Sequence, residues 1–83
     1  MASQTSLTRY DSQHGPVLLG TLWTLSRGRQ RLRCTLSTNI LGWELRAIQG
    51  EDVRRSQVCR SEKNVADVSA DWEAEAKGKG WGQ

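Results

Sequence analysis

The chain has no phenylalanine and only one histidine, one proline, one methionine and one tyrosine. His14, the lone imidazole, lies in a polar stretch near the start, so neither a Ser/His/Asp nor a Cys/His centre has a well-placed base. An enzyme is not expected. Cys34 and Cys59 are the only cysteines, without CxxC or HxxxH spacing, too few for a zinc site or a disulfide scaffold; free thiols, no metal and no small-molecule cofactor are expected. No stretch approaches the ~20 apolar residues of a membrane span. The opening MASQTSLTRYDSQHGP lacks the basic region followed by an apolar run of a signal peptide, which leads to the expectation of a cytoplasmic protein that does not engage membranes. The glycines of RGR at 27–29 and of GKGWG near the end are turn glycines, because neither set lies between a strand and a following helix as a phosphate loop requires.

What is present is a chain of 83 residues, 36% apolar and 25% charged, near the size at which one core can just sustain a fold. Four tryptophans stand in for the missing phenylalanines. Each aromatic buries roughly 150–250 Å², so Trp23, Trp43, Trp72 and Trp81 are expected at the core or its edge. The net charge of +3 is mild but unevenly placed. From Arg27 to Arg60, eight arginines face Glu44, Glu51 and Asp52, a local charge of +5; from Ser61 onward three lysines face five acids, a local charge of −2.

Residues 1–16 are polar and aperiodic and read as a flexible arm, leaving 17–83 as a single small domain. LLGTLWTL, RLRCTLS, GWELRAI and VRRSQVC have the length and alternation of strands, and the short polar segments between them make an antiparallel meander of three or four strands. Two-residue turns at Gly28–Arg29 and Gly50–Glu51, and a four-residue loop over Thr38–Leu41, place the apolar side chains on one face. That register sets Leu25 against Leu32, Trp23 against Cys34, Thr21 against Leu36, Leu36 against Trp43, Cys34 against Leu45, Leu32 against Ala47, Trp43 against Val58 and Leu45 against Ser56. It also sends Cys34 and Cys59 to opposite faces. SEKNVADVSADWEAEAKGKGW then reads as a helix capped by Ser61, with Val65, Val68, Trp72 and Ala76 as its apolar stripe and Lys77–Gly78 as its end; Trp81 folds back over it. The fold class is α+β: an antiparallel meander with one carboxy-terminal helix packed on one face.

On the other face this register aligns Arg33, Arg46 and Arg55 in a row across three strands, with Arg31 one step along and Arg27 and Arg29 at the hairpin tip. Like charges directly opposite one another are unfavourable by up to ~1 kcal/mol a pair, which a bound anion would relieve. Guanidinium forks suit phosphate oxygens, so nucleic acid or another polyanion is the expected partner, bound through Arg31, Arg33, Arg46 and Arg55 with Arg27 and Arg29 as auxiliaries. The competing reading of the row is a solvated face kept soluble by long charged side chains. Leu22, Ile48 and Val53 on the same face, with Val17, Leu18 and Leu19, support the alternative function: a protein-interaction or homodimerising module that meets an acidic protein surface.

The succession LW, RC.L, GWELR, RSQVC, a helix and GKGW, spanning about residues 20–81, resembles short uncharacterised bacterial proteins of no assigned function. The resemblance implies a compact sheet-plus-helix unit in a bacterial cytoplasm and carries over no site residue.

Overall fold

In the computed structural model, residues 16–82 are described; the arm expected over 1–16 lies outside them apart from Pro16, as does His14. Four strands form one antiparallel sheet in chain order, β1 (Leu18–Arg27), β2 (Gln30–Asn39), β3 (Gly42–Gln49) and β4 (Asp52–Cys59), followed by one helix, α1 (Glu62–Gly78). The α+β meander with a carboxy-terminal helix is therefore the observed architecture.

The outer hairpins turn where the glycines demand it. Gly28 and Gly50 each take φ +62° at the first turn position, the left-handed value that two-residue hairpin turns require. Arg27 consequently pairs with Gln30, Leu25 with Leu32, Trp23 with Cys34, and Gln49 with Asp52. The middle hairpin is tighter than expected. A two-residue turn at Ile40–Leu41 replaces the four-residue loop, and Asn39 pairs with Gly42. The Asn39 side-chain oxygen accepts from the Leu41 N–H at 2.9 Å, a local bond that favours the short turn. Register between β2 and β3 thus slides by two residues: Leu36 meets Leu45 rather than Trp43, Cys34 meets Ala47 rather than Leu45, and Leu32 meets Gln49 rather than Ala47. A slide of two keeps every side chain on its expected face.

Bulges do not. In β4 one extra residue, Arg54, sits between the pairs Ile48–Val53 and Ala47–Arg55. Everything after it changes face, so Trp43 meets Cys59 instead of Val58 and Leu45 meets Gln57 instead of Ser56. Cys34 and Cys59 accordingly lie under the helix together, both free and both at 0% exposure, and not on opposite faces. Irregularities in β1 around Leu19 and Leu22 put Thr21 opposite Thr35 instead of Leu36.

The helix begins at Ser61, whose hydroxyl accepts the Asn64 N–H at 3.0 Å, with Glu62 in the first turn and Lys77 in the last to suit the helix dipole. It ends at Gly78, as expected, but the closing glycine is a different one. Gly80, not Gly78, takes the left-handed conformation, at φ +98°; its N–H donates to the Lys77 carbonyl and the Trp81 N–H to that of Ala76, each at 3.1 Å. This is a Schellman closure, and it seats Trp81 against the buried Ala76. Gly82 then bridges to Ser26 of β1 through a pair of backbone hydrogen bonds, so the segment after the helix is pinned to the sheet edge.

Between helix and sheet lie Leu25, Leu32, Cys34, Leu45, Ala47, Cys59, Val65, Trp72, Ala76 and Trp81, with Trp23, Leu36, Trp43 and Val68 packed at the margin. All four tryptophans therefore serve the core. At ~25 cal/mol per Å², one buried indole contributes about 4–6 kcal/mol of gross burial energy. The partly buried Trp23 Nε1–H donates to both the carbonyl and the hydroxyl of Ser69, at 3.2 Å each, so its polar edge is satisfied where it meets the helix.

Candidate anion-binding site

An up-and-down meander brings alternate turns to the same end. The turns at Gly28–Arg29 and Gly50–Glu51 therefore share one end of the sheet, and α1, starting at the opposite end, returns to it with Lys77 and Lys79. Arg27, Arg29, Arg31, Arg33, Arg54 and Arg55 all belong to this end.

The expected row of arginines does not form. Arg33 stands between Thr24 and Ile48, Arg46 between Thr35 and Ser56, and Arg55 pairs with Ala47 on the helix-covered face. The two-residue slide of the middle hairpin separates Arg33 from Arg46; the Arg54 bulge removes Arg55. The two displaced arginines have found carboxylates. Arg46 Nε lies 3.4 Å from Glu44 beside it on the open face, and Arg55 Nη1 donates to Glu75 on the helix at 2.6 Å. That hydrogen bond, with the charges of Arg55 and Lys79, holds the Glu75 carboxyl below its ordinary value. Glu75 is thus an ion-pair partner as well as a member of the helix's solvated face.

The remaining arginines are differently placed. Arg31 and Arg33 point to the open side two residues apart on β2, about 7 Å at strand spacing. Arg33 Nη1 donates to the Gly50 carbonyl at 3.3 Å and Arg27 Nη1 to the Lys79 carbonyl at 3.1 Å. Glu51 and Asp52 line the same shallow depression as Arg29, Arg31 and Arg33. Even so, among the described residues Arg27, Arg29, Arg31, Arg33 and Arg54 form no ion pair with a carboxylate.

A cleft of about 220 Å³ opens at this end between the sheet and the last turns of α1. Leu32, Ala47 and Ala76 contribute its apolar surface, and Trp23, Trp72 and Trp81 line it. Arg55 lies over the Trp72 ring at 4.6 Å and Arg27 over the Trp81 ring at 4.5 Å, cation–π contacts that fix both guanidiniums at the cleft. Arg54 and Lys79 add two further cations, against one carboxylate, Glu75. Arg54 and Lys79 were not among the residues expected from sequence; Arg54-Arg55-Ser56-Gln57 is uniformly polar, so nothing in its pattern marks where the bulge falls.

On the open face, Arg33 and Arg46 flank a trough whose lining includes Thr35 and Ser37, both buried. At the far end of the sheet, Val17, Leu18, Leu19, Ile40 and Leu41 are exposed, Ile40 at 92%. Burial pushes the Cys34 thiol up to about 11 and raises that of Cys59, so both stay protonated and unreactive at neutral pH. Among the described residues no three His, Cys, Asp or Glu side chains gather as a metal site, and no helix is long and apolar enough to cross a membrane. Comparison with protein families, curated proteins and solved structures finds no match to this chain.

Proposed function

We propose that the protein is a non-catalytic binding protein whose basic end takes phosphate polyanions, nucleic acid foremost. The observation that carries this reading is the set of five guanidiniums, Arg27, Arg29, Arg31, Arg33 and Arg54, gathered at one end of the sheet without a carboxylate ion-pair partner among the described residues. Unrelieved like charge works against folding, and phosphate oxygens match guanidinium forks in charge and geometry. Arg29, Arg31 and Arg33 are the principal contacts in this reading, while Arg46 and Arg55, already engaged by Glu44 and Glu75, contribute less. A cytoplasmic setting accords with two buried free thiols.

Fluorescence anisotropy of labelled duplex DNA titrated with the protein tests the proposal. Contacts to three to five phosphates give a slope of log affinity against log salt of about −3 to −4.5. Arg31→Ala with Arg33→Ala should lower that slope in magnitude by about 2. Absence of binding to either DNA or RNA at low salt would sink the idea.

A second reading rests on the exposed apolar residues at the other end, Val17, Leu18, Leu19, Ile40 and Leu41. An apolar surface of this kind suits a protein partner or a second copy of the chain. Light scattering after size exclusion tests the second-copy form of this reading: a monomer over the whole concentration range removes the homodimer.

A further inference from the structure

The cleft between the sheet and the end of α1 has a construction that a general phosphate-binding surface does not need. Arg27 and Arg55 are each stacked on an indole, over Trp81 and Trp72 respectively. Each is also tethered, Arg27 to the Lys79 carbonyl at 3.1 Å and Arg55 to Glu75 at 2.6 Å. A guanidinium held in this way is planar, oriented by two contacts and backed by an aromatic ring, and its outer face is a platform on which a nucleobase stacks. Two such platforms border one cleft.

The volume, about 220 Å³, is below the roughly 300–1,000 Å³ of pockets for drug-sized ligands and suits a single ring system. Gln49 lines the cleft and offers both a donor and an acceptor, the complement that the edge of a base requires. Arg54, with no ion-pair partner among the described residues, provides the positive charge for an adjoining phosphate, and Lys79, 3.9 Å from Glu75, adds to it. An apolar interior, stacking planes, an amide and two further cations together match one nucleotide unit. A base paired within a duplex cannot enter such a cleft, whereas the unstacked base of a single strand can.

Resting on the phosphate-binding reading above, we infer that this cleft receives one extruded base of a single-stranded nucleic acid, with the adjoining phosphates on Arg54 and Lys79. The open-face arginines Arg31 and Arg33 then serve the backbone on either form of nucleic acid, and the cleft supplies the preference for single strands.

The test uses the full chain, isotope-labelled, titrated in parallel with a decameric single-stranded DNA, the corresponding duplex, and inorganic tripolyphosphate. Indole N–H resonances are the readout, with Trp43, which does not line the cleft, as the internal reference. The single strand should shift Trp23, Trp72 and Trp81 and bind about tenfold more tightly than the duplex, the size of one base-stacking contact. Gln49→Ala, an uncharged and only partly buried position that also borders the depression of Arg29, Arg31 and Arg33, should weaken single-strand binding more than duplex binding and so narrow the preference for single strands. Equal affinity for the two forms with still indoles would overturn the cleft assignment and leave the phosphate-binding reading standing. No binding of any probe at low salt would remove both.

Discussion

The two ends of this sheet are closed by the same device, a two-residue turn, yet they share almost nothing else. At one end arginines surround a cleft lined by Trp23, Trp72 and Trp81; at the other, Ile40, Leu41 and the start of β1 expose hydrocarbon to solvent. The difference comes from where the helix places its large residues. Its first turns bury Val65 and Ser69, both modest in size, while Trp72, Ala76 and the folded-back Trp81 lie towards the basic end. Aromatic mass and positive charge therefore coincide, and each arginine stacked there both covers an indole and presents charge. The comparison shows that a mild overall charge can become a local one through topology alone, since a meander delivers every second turn to one end.

Four measurements would break or sharpen that contrast. Trp72→Ala should remove about 3–5 kcal/mol, enough to abolish most of the stability of a small domain, and thermal unfolding followed by circular dichroism reads it directly. A fall in melting temperature of only a few degrees would mean that the basic end does not anchor the core. Gly42→Ala probes the opposite end. Gly42 has φ +141°, and a Cβ there would run into the Cys59 carbonyl oxygen, so backbone must move; a loss of about 2 kcal/mol, or on the order of 10 °C, is expected. Unchanged melting would show that this end yields easily.

The third measurement is a pH profile. Burial raises the folded-state value of Cys34 from 9.0 to about 11, so the unfolded chain ionises first as pH climbs. Stability attributable to this thiol is complete below pH 9 and is lost as pH rises towards 11, and Cys34→Ala should flatten that decline. Glu75 behaves in the opposite sense. Its folded value is depressed by Arg55, so its contribution is present above the ordinary carboxyl value of 4.5 and disappears as pH falls through the folded one; Glu75→Gln should make the acid limb shallower. The smallest effect belongs to Arg33→Ala with Arg46→Ala, both on the open face, which should change stability by less than about 0.5 kcal/mol. A large loss there would show that the open-face arginines hold the sheet together and would weaken the case that they serve a ligand.

Much of the fold was legible from residue order because its signals are local. Gly28 and Gly50 announce their turns, Ser61 announces the helix start, and the apolar stripe through Val65, Trp72 and Ala76 announces the buried side. The candidate site was less legible, for a physical reason. Cross-strand neighbours depend on register, and register depends on single residues whose effect is not written in hydrophobicity: Asn39 tightening one turn and Arg54 lengthening one strand. Arg31 and Arg33 kept their expected face; Arg46 kept its face but lost its arginine neighbours; Arg55 crossed to the helix side. The pairing of Arg27 with Trp81, across more than fifty positions, depends on a Schellman closure at Gly80 that the neighbouring Gly78 obscures in the sequence.

Arg54 has one more consequence, which concerns length rather than chemistry. Its side chain is exposed and forms no ion pair among the described residues, so exchanging it for another residue leaves the phase of β4 intact. Deleting it should spare that phase as well. With one residue fewer between Val53 and Arg55 the ladder runs on without a bulge, Arg55 still opposite Ala47 and Cys59 still opposite Trp43, so the strand loses its local kink and keeps its faces. The bulge is thus how β4 carries a surplus residue without turning Cys59 out to water, which makes this position tolerant of an exchange and of a missing codon alike.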